Sequence, residues 1–106
     1  MIVDTHCHLY REYYEDLDNI LEDMKKENIF AIVNGCDLKT NKEAIELSKN
    51  NSNIFASIGY HPTEISNKED LKYLEDNINS VVAVGEIGLD YYWDKNNSNI
   101  QIDILE

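Results

Sequence analysis

Four short apolar runs, at residues 2–3, 29–33, 54–58 and 81–84, start 27, 25 and 27 residues apart. A repeat of that length holds one strand, one helix and the turns that join them, which is the size of a β-α unit. The intervening segments have helical spacing: Tyr14, Leu17, Leu21 and Met24 recur at i, i+3, i+7 and i+10, and Leu71, Leu74 and Ile78 repeat the pattern. Two helix starts read as capping boxes, Thr40 with Glu43 and Ser66 with Glu69, which would satisfy free amides of a first turn. Runs that are apolar without strict alternation suit strands covered on both faces, so the expected class is α/β, a parallel sheet with helices outside. The tracts LKTNK, NNSN and DKNNSN are polar enough to be loops. Residues 96–106 read two ways: Ser98 with Gln101 resembles another capping box, whereas Ile100, Ile102 and Ile104 alternate as a strand would. The preceding rhythm favours a helix. The chain stops a turn or two into it, inside a fourth β-α unit.

The 106 residues fit one domain, and 42% apolar content is too high for a disordered chain. No apolar run nears the roughly 18 residues of a membrane helix, and the N-terminus lacks the basic region and apolar core of a signal peptide. The expected compartment is the cytoplasm. Cys7 and Cys36 lack CxxC or zinc-knuckle spacing and read as free thiols. A net charge of -12 excludes a large basic surface for nucleic acid. It does not exclude a phosphate substrate, because bound divalent cations supply local positive charge.

Chemistry gathers where the apolar runs end. His6 and His8 follow the first run with H-x-H spacing, and residues two apart on an extended strand share a face, so both imidazoles would enter one space. Such a pair suits a divalent metal, although a bare H-x-H also fits one core and one surface histidine. Asp4 stands where it could hydrogen-bond an imidazole and fix its tautomer. GYHP, residues 59–62, puts His61 at the end of the third run, either as a turn histidine or beside the same site. Glu86 ends the fourth run between Gly85 and Gly88, which leave backbone room for a ligand, and Asp90, Tyr91, Tyr92 and Trp93 form a polar and aromatic rim. A carboxylate at the end of a buried strand is costly unless it is paired or binds a cation, and basic partners are scarce here. In parallel α/β folds, ligands collect at the carboxyl ends of the strands. The second run ends in Asn34, Gly35, Cys36 and Asp37, without a strong ligand set.

With DTHCHL, GYHP and VGEIGLDYYW in view, the chain resembles the TatD family of metal-dependent deoxyribonucleases, within the amidohydrolase-like barrels. The likeness runs from Met1 to about Trp93 and covers the first half of such a protein. It implies a TIM-type (β/α)8 barrel of which four β-α units are present. By the same resemblance, His6 and His8 ligate metal, and Glu86 bridges or ligates a metal pair and is the catalytic carboxylate. His61 would contact the substrate phosphate, with Asp90 and Tyr91 lining the site. Implied too are divalent cations, two per complete site, Mg2+ or Mn2+ with Zn2+ as a further option. The implied partner is DNA, trimmed 3' to 5' from ends or single strands. The family's remaining ligands, two histidines and an aspartate, belong to later strands that have no counterpart in these residues. Other readings are a PHP-type phosphoesterase, which also opens with H-x-H, and an inactive fragment or half-barrel interaction module that self-associates through open sheet edges.

Overall fold

The computed structural model describes residues 1–65, 68 and 70–106. The elements follow the repeat: β1 (Ile2–Cys7), α1 (Leu17–Lys26), β2 (Ile29–Asn34), α2 (Leu38–Asn50), β3 (Ile54–Ile58), α3 (Asp70–Asn77), β4 (Ala83–Val84) and α4 (Ser98–Leu105). All pairings are parallel, in the order β1-β2-β3-β4. Four β-α units in sequential order make half of a TIM-type barrel.

The core lies between the sheet and the helices. Ala31, Val33, Ile54, Ala56 and Ile58 point from β2 and β3 onto Leu17 and Leu21 of α1 and Ala44, Ile45 and Leu47 of α2, and all are buried. The opposite face is more open: Phe55, between Ile54 and Ala56, is 39% exposed. Exposure rises at β1 and β4, where Val3 and Val84 are also uncovered.

Local chemistry explains the element ends. The α1 helix stops where Asn28 takes a left-handed φ of 56°, a conformation that asparagine tolerates and that closes helices. The start of α2 differs from expectation. Asp37 is its N-cap, accepting from the Thr40 amide at 2.8 Å while the Thr40 hydroxyl receives the Asp37 amide at 3.1 Å. The box is therefore Asp37 with Thr40, three residues before the one expected from Thr40 and Glu43, and LKTNK forms the first turns of α2. The Ser66–Glu69 pairing lies outside the described residues. The last segment is helical, as the rhythm implies, but its N-cap Asn97 makes no side-chain capping bond, and Gln101 is turned inward instead. The fourth run gives a strand of only two residues, because a 3-10 turn at Ile78–Ser80 feeds it late and the chain breaks away at Gly85.

Candidate metal centre

β1 carries His6 near its end, and His8 lies just beyond it. Pairing with β2 slips here: Asp4 stands opposite Ala31 and Cys7 opposite Val33, so Thr5 and His6 share the space of one partner residue. Such a bulge bends a strand and re-aims its side chains. The two rings meet nearly edge to face, with 5.1 Å between centroids and 3.2 Å between the Nε2 atoms. Their convergence owes as much to the bulge as to simple alternation.

Glu86 reaches this pair from the other side of the sheet. β1 and β4 are at opposite ends of the strand order, yet Glu86 Oε1 lies 3.2 Å from His6 Nε2 and 3.4 Å from His8 Nε2. The sheet curls enough for side chains at the carboxyl ends of its outer strands to meet. Two nitrogens and an oxygen thus mark a triangle with edges of 3.2, 3.2 and 3.4 Å. Adjacent ligands on one cation with bonds of about 2.0–2.2 Å are separated by roughly 2.9–3.5 Å, so the triangle fits a single divalent ion. Among the described residues, this is the group of three potential ligands that converges within 4.8 Å.

Protons make the same case. His8 Nδ1 is 3.1 Å from the Asn34 carbonyl, which can only accept, so Nδ1 carries the proton and Nε2 turns its lone pair to the centre. The buried Tyr10 hydroxyl donates to that same carbonyl, and desolvation by burial raises its pKa far above the phenol range. In the neutral state that metal ligation requires of both imidazoles, only His6 Nε2 could hold a proton among the three converging atoms. Lone pairs outnumber donors, which is the condition a cation relieves. Asp4 serves differently from expectation: its carboxylate accepts the His6 backbone amide at 3.0 Å and so pins the main chain at the bulge.

The backbone of Glu86 is held as closely as its side chain. Its amide donates to Gly35 O at 3.0 Å, and the Gly85 amide donates to Ile58 O at 2.9 Å. The Gly85–Glu86 peptide is cis. Gly59 lies against it: a Cβ at Gly59 would come within 2.5 Å of Glu86 O and 2.6 Å of Gly85 C. Asn41, fully buried on α2, grips Gly59 from behind, donating to its carbonyl at 2.8 Å and accepting its amide at 3.1 Å. Helix α2 is thereby tied to the carboxylate.

A cleft of ≈ 330 Å³ opens beside the triangle, lined by His8, Tyr10, Tyr13, His61, Glu64 and Glu86 among others. The His61 amide donates to Cys36 O at 2.9 Å, which anchors GYHP over the end of β2. His61 Nδ1 accepts from the Thr63 amide at 3.3 Å and faces the Thr63 hydroxyl at 2.7 Å. In the neutral ring, Nε2 then bears the proton and is a donor. The structure therefore lines one opening with His8, Glu86 and His61, and His6 completes the triangle beside it. Asp90 and Tyr91 are not in the lining of that cleft. The Asp90 carboxylate accepts the amides of Tyr92 and Trp93, both at 2.9 Å, and its backbone is clamped by Gln101 at 2.7 and 3.0 Å.

Comparison with known proteins now decides the family. The family described as TatD related DNase matches residues 3–106. The chain belongs to the TatD family. An uncharacterized metal-dependent hydrolase of Bacillus subtilis, YabD, is 39% identical over 111 residues, covering 99% of this chain and 44% of YabD. The human deoxyribonuclease TATDN3 is 32% identical, covering 85% of this chain and 38% of that protein. The crystal structure of the TatD homologue YJJV from Escherichia coli superposes with a TM-score of 0.77 at 28% identity, over 98% of this chain and 43% of YJJV. This TatD chain spans under half the length of these relatives. No helix among the described residues is long and apolar enough to cross a membrane.

Sequence reasoning missed the supports of this TatD centre. Asn41 occupies a helical position that, with Ala44, Ile45 and Leu47, belongs to the buried stripe of α2. A polar residue within a buried stripe needs a partner, and that was the available signal. The roles of the Asn34 carbonyl and Gln101 had no such signal, since each depends on a loop path. Both cysteines are free. Cys7, between the two histidines in sequence, donates to Ile32 O at 3.4 Å, and burial pushes its thiol up to about 11. Alkylation of Cys7 by iodoacetamide at pH 8 is therefore expected to run roughly 100-fold slower than that of an ordinary cysteine and to accelerate with pH until about 11, since only the thiolate reacts. Peptide mass mapping over a pH series checks this; a rate that levels off near pH 9 would contradict the burial.

Proposed function

We propose that this chain supplies the first half of a (β/α)8 deoxyribonuclease, a divalent-metal-dependent phosphodiesterase that trims single-stranded DNA from its 3' end. The observation that carries the reading is the His6, His8 and Glu86 triangle at the carboxyl ends of the strands. The printed name of the human relative, a deoxyribonuclease, supports the substrate class. His6 Nε2, His8 Nε2 and Glu86 Oε1 would hold the metal, Mg2+ or Mn2+ for oxygen-rich substrates, with Zn2+ compatible with the two imidazoles, and with a second ion shared with residues outside this segment. When bound, the ion supplies Lewis acidity, polarising a phosphoryl oxygen and offsetting the charge that grows on it.

The chain's own groups do the rest. Asn34 O keeps His8 in the Nδ1–H tautomer, so its lone pair stays on the centre. His61 Nε2–H, oriented by Thr63, donates to a non-bridging phosphate oxygen in the cleft. Glu86 Oε2 takes the proton of the water whose oxygen bonds phosphorus while Oε1 remains with the imidazoles, and as the scissile P–O bond breaks that proton passes to the leaving oxygen. Asp90 and Tyr91 act from the rim, through the loop that Gln101 clamps. The free thiols fit a reducing compartment, and the cytoplasm is part of this reading. A second reading, a half-barrel that associates with another copy, is favoured by the exposed Ile2 and Val3 of β1 and Val84 of β4, with Val82 just before β4.

The test is digestion of a 5'-labelled single-stranded oligonucleotide with Mg2+ or Mn2+, by this chain alone and by a chimera that joins it to the second half of YabD. The chain alone is expected to show little or no cleavage, and the chimera to shorten the strand from its 3' end and to stop with Glu86→Gln. A folded chimera that leaves DNA intact would overturn the nuclease reading. Robust cleavage by the chain as a verified monomer would overturn the requirement for a second half.

A further inference from the structure

The cleft beside the triangle has an uneven chemistry. Its lining includes Glu64 and Glu86 and contains no lysine or arginine among the described residues, and the chain as a whole carries a net charge of -12. A nucleic-acid strand gains no Coulombic attraction from such a wall. From this chain's wall, affinity beyond the metal comes from a contact that is indifferent to charge, and stacking of a base on an aromatic face is one.

Tyr13 is placed to make it. It lines the same cleft as His8, Glu86 and His61, yet 65% of its surface is open, whereas Tyr10 in that lining is buried. Its amide donates to Tyr10 O at 2.9 Å, which fixes the turn that presents it. Its ring centroid lies 6.3 Å from that of Tyr10, and the Tyr10 ring 6.0 Å from that of His8, so an aromatic series leads from the triangle to the mouth of the cleft. The neighbouring Glu12 is tied to Lys39 at 2.9 Å, which fastens this loop to α2.

We propose that Tyr13 is a stacking platform for a nucleobase of the strand whose phosphodiester lies at the His6, His8 and Glu86 centre. This rests on the phosphodiesterase reading above and assigns it a base subsite. The platform reads a π-face and not a base edge, so it accepts any nucleobase and gives little sequence preference.

The experiment measures binding of the dinucleotide dTpdT and of the same phosphodiester with both bases removed, by calorimetry with saturating Mn2+. The proteins are the wild-type chain, Tyr13→Ala, Tyr13→Phe and Tyr14→Ala, the last an exposed aromatic outside both the cleft lining and the rim. Tyr13→Ala is expected to weaken dTpdT binding about tenfold or more, a loss within the range for one stacked base. Tyr13→Phe and Tyr14→Ala should stay within about twofold of wild type, and the base-free diester should not distinguish Tyr13→Ala from wild type. Equal binding of dTpdT by wild type and Tyr13→Ala, or equal binding of the two diesters by wild type, would overturn the platform while leaving the phosphodiesterase reading intact. Failure of both diesters to bind the wild-type chain would overturn the platform, whereas the phosphodiesterase reading stands or falls with digestion by the chimera.

Discussion

Replacing Glu86 by alanine is expected to weaken Mn2+ binding by about 100-fold or more, since even the loss of a group one shell out from a metal costs roughly 10- to 100-fold in affinity. Of the three converging groups, Glu86 alone brings formal negative charge, and among the described ion pairs its partners are the two histidines and no lysine or arginine. Its side chain is 27% exposed, so water screens a vacated site only in part. Glu86→Gln keeps the shape and removes the charge, and it should fall between wild type and alanine. His8→Ala should also weaken binding, and it frees the Asn34 carbonyl from one of its two donors. Titration of Mn2+ by calorimetry gives the ratios directly. Unchanged binding in both Glu86→Ala and His8→Ala would remove the metal centre from this account.

The second large effect concerns a residue that bears no chemistry of its own. Gly59→Ala places a methyl group 2.5 Å from Glu86 O, 2.6 Å from Gly85 C and 2.8 Å from Glu86 N. These are main-chain atoms, and Asn41 holds Gly59 at both its amide and its carbonyl, so neither side yields by a rotamer change. Overpacking of this kind costs about 1–3 kcal/mol, which for a domain of this size lowers Tm by roughly 5–20 °C. The same displacement moves Glu86 off the triangle, so Mn2+ affinity should drop with the melting temperature. A core truncation far from the site, Leu47→Ala, separates the two effects: it should lower Tm by a similar amount and leave affinity almost unchanged. If Gly59→Ala and Leu47→Ala alter affinity equally, the contact between Gly59 and Glu86 has no special place in the site.

The repeat of apolar runs and helical spacings made the architecture legible, because burying one face of each helix on a parallel sheet leaves few alternatives. Boundaries were less legible where one side chain decides between neighbours. Asp37 won the cap of α2 over Thr40 since its carboxylate reaches the Thr40 amide while Thr40 answers through its hydroxyl. At the fourth run, four apolar residues promised a longer strand than the two that pair, because past Gly85, whose amide still bonds Ile58 of β3, the Glu86 amide turns to Gly35. His6, His8 and Glu86 could be named from their place at strand ends. The bulge that aims His6, the Asn34 carbonyl that sets His8 and the Asn41 grip on Gly59 are tertiary arrangements, with only the misplaced polarity of Asn41 to hint at one of them.

The measurement that bears most directly on the centre is the anomalous difference map of a crystal of this chain grown with Mn2+. A peak about 2.0–2.3 Å from His6 Nε2, His8 Nε2 and Glu86 Oε1 together is the predicted result. A well-ordered site with no peak there, or Mn2+ bound only at other carboxylates, would contradict it.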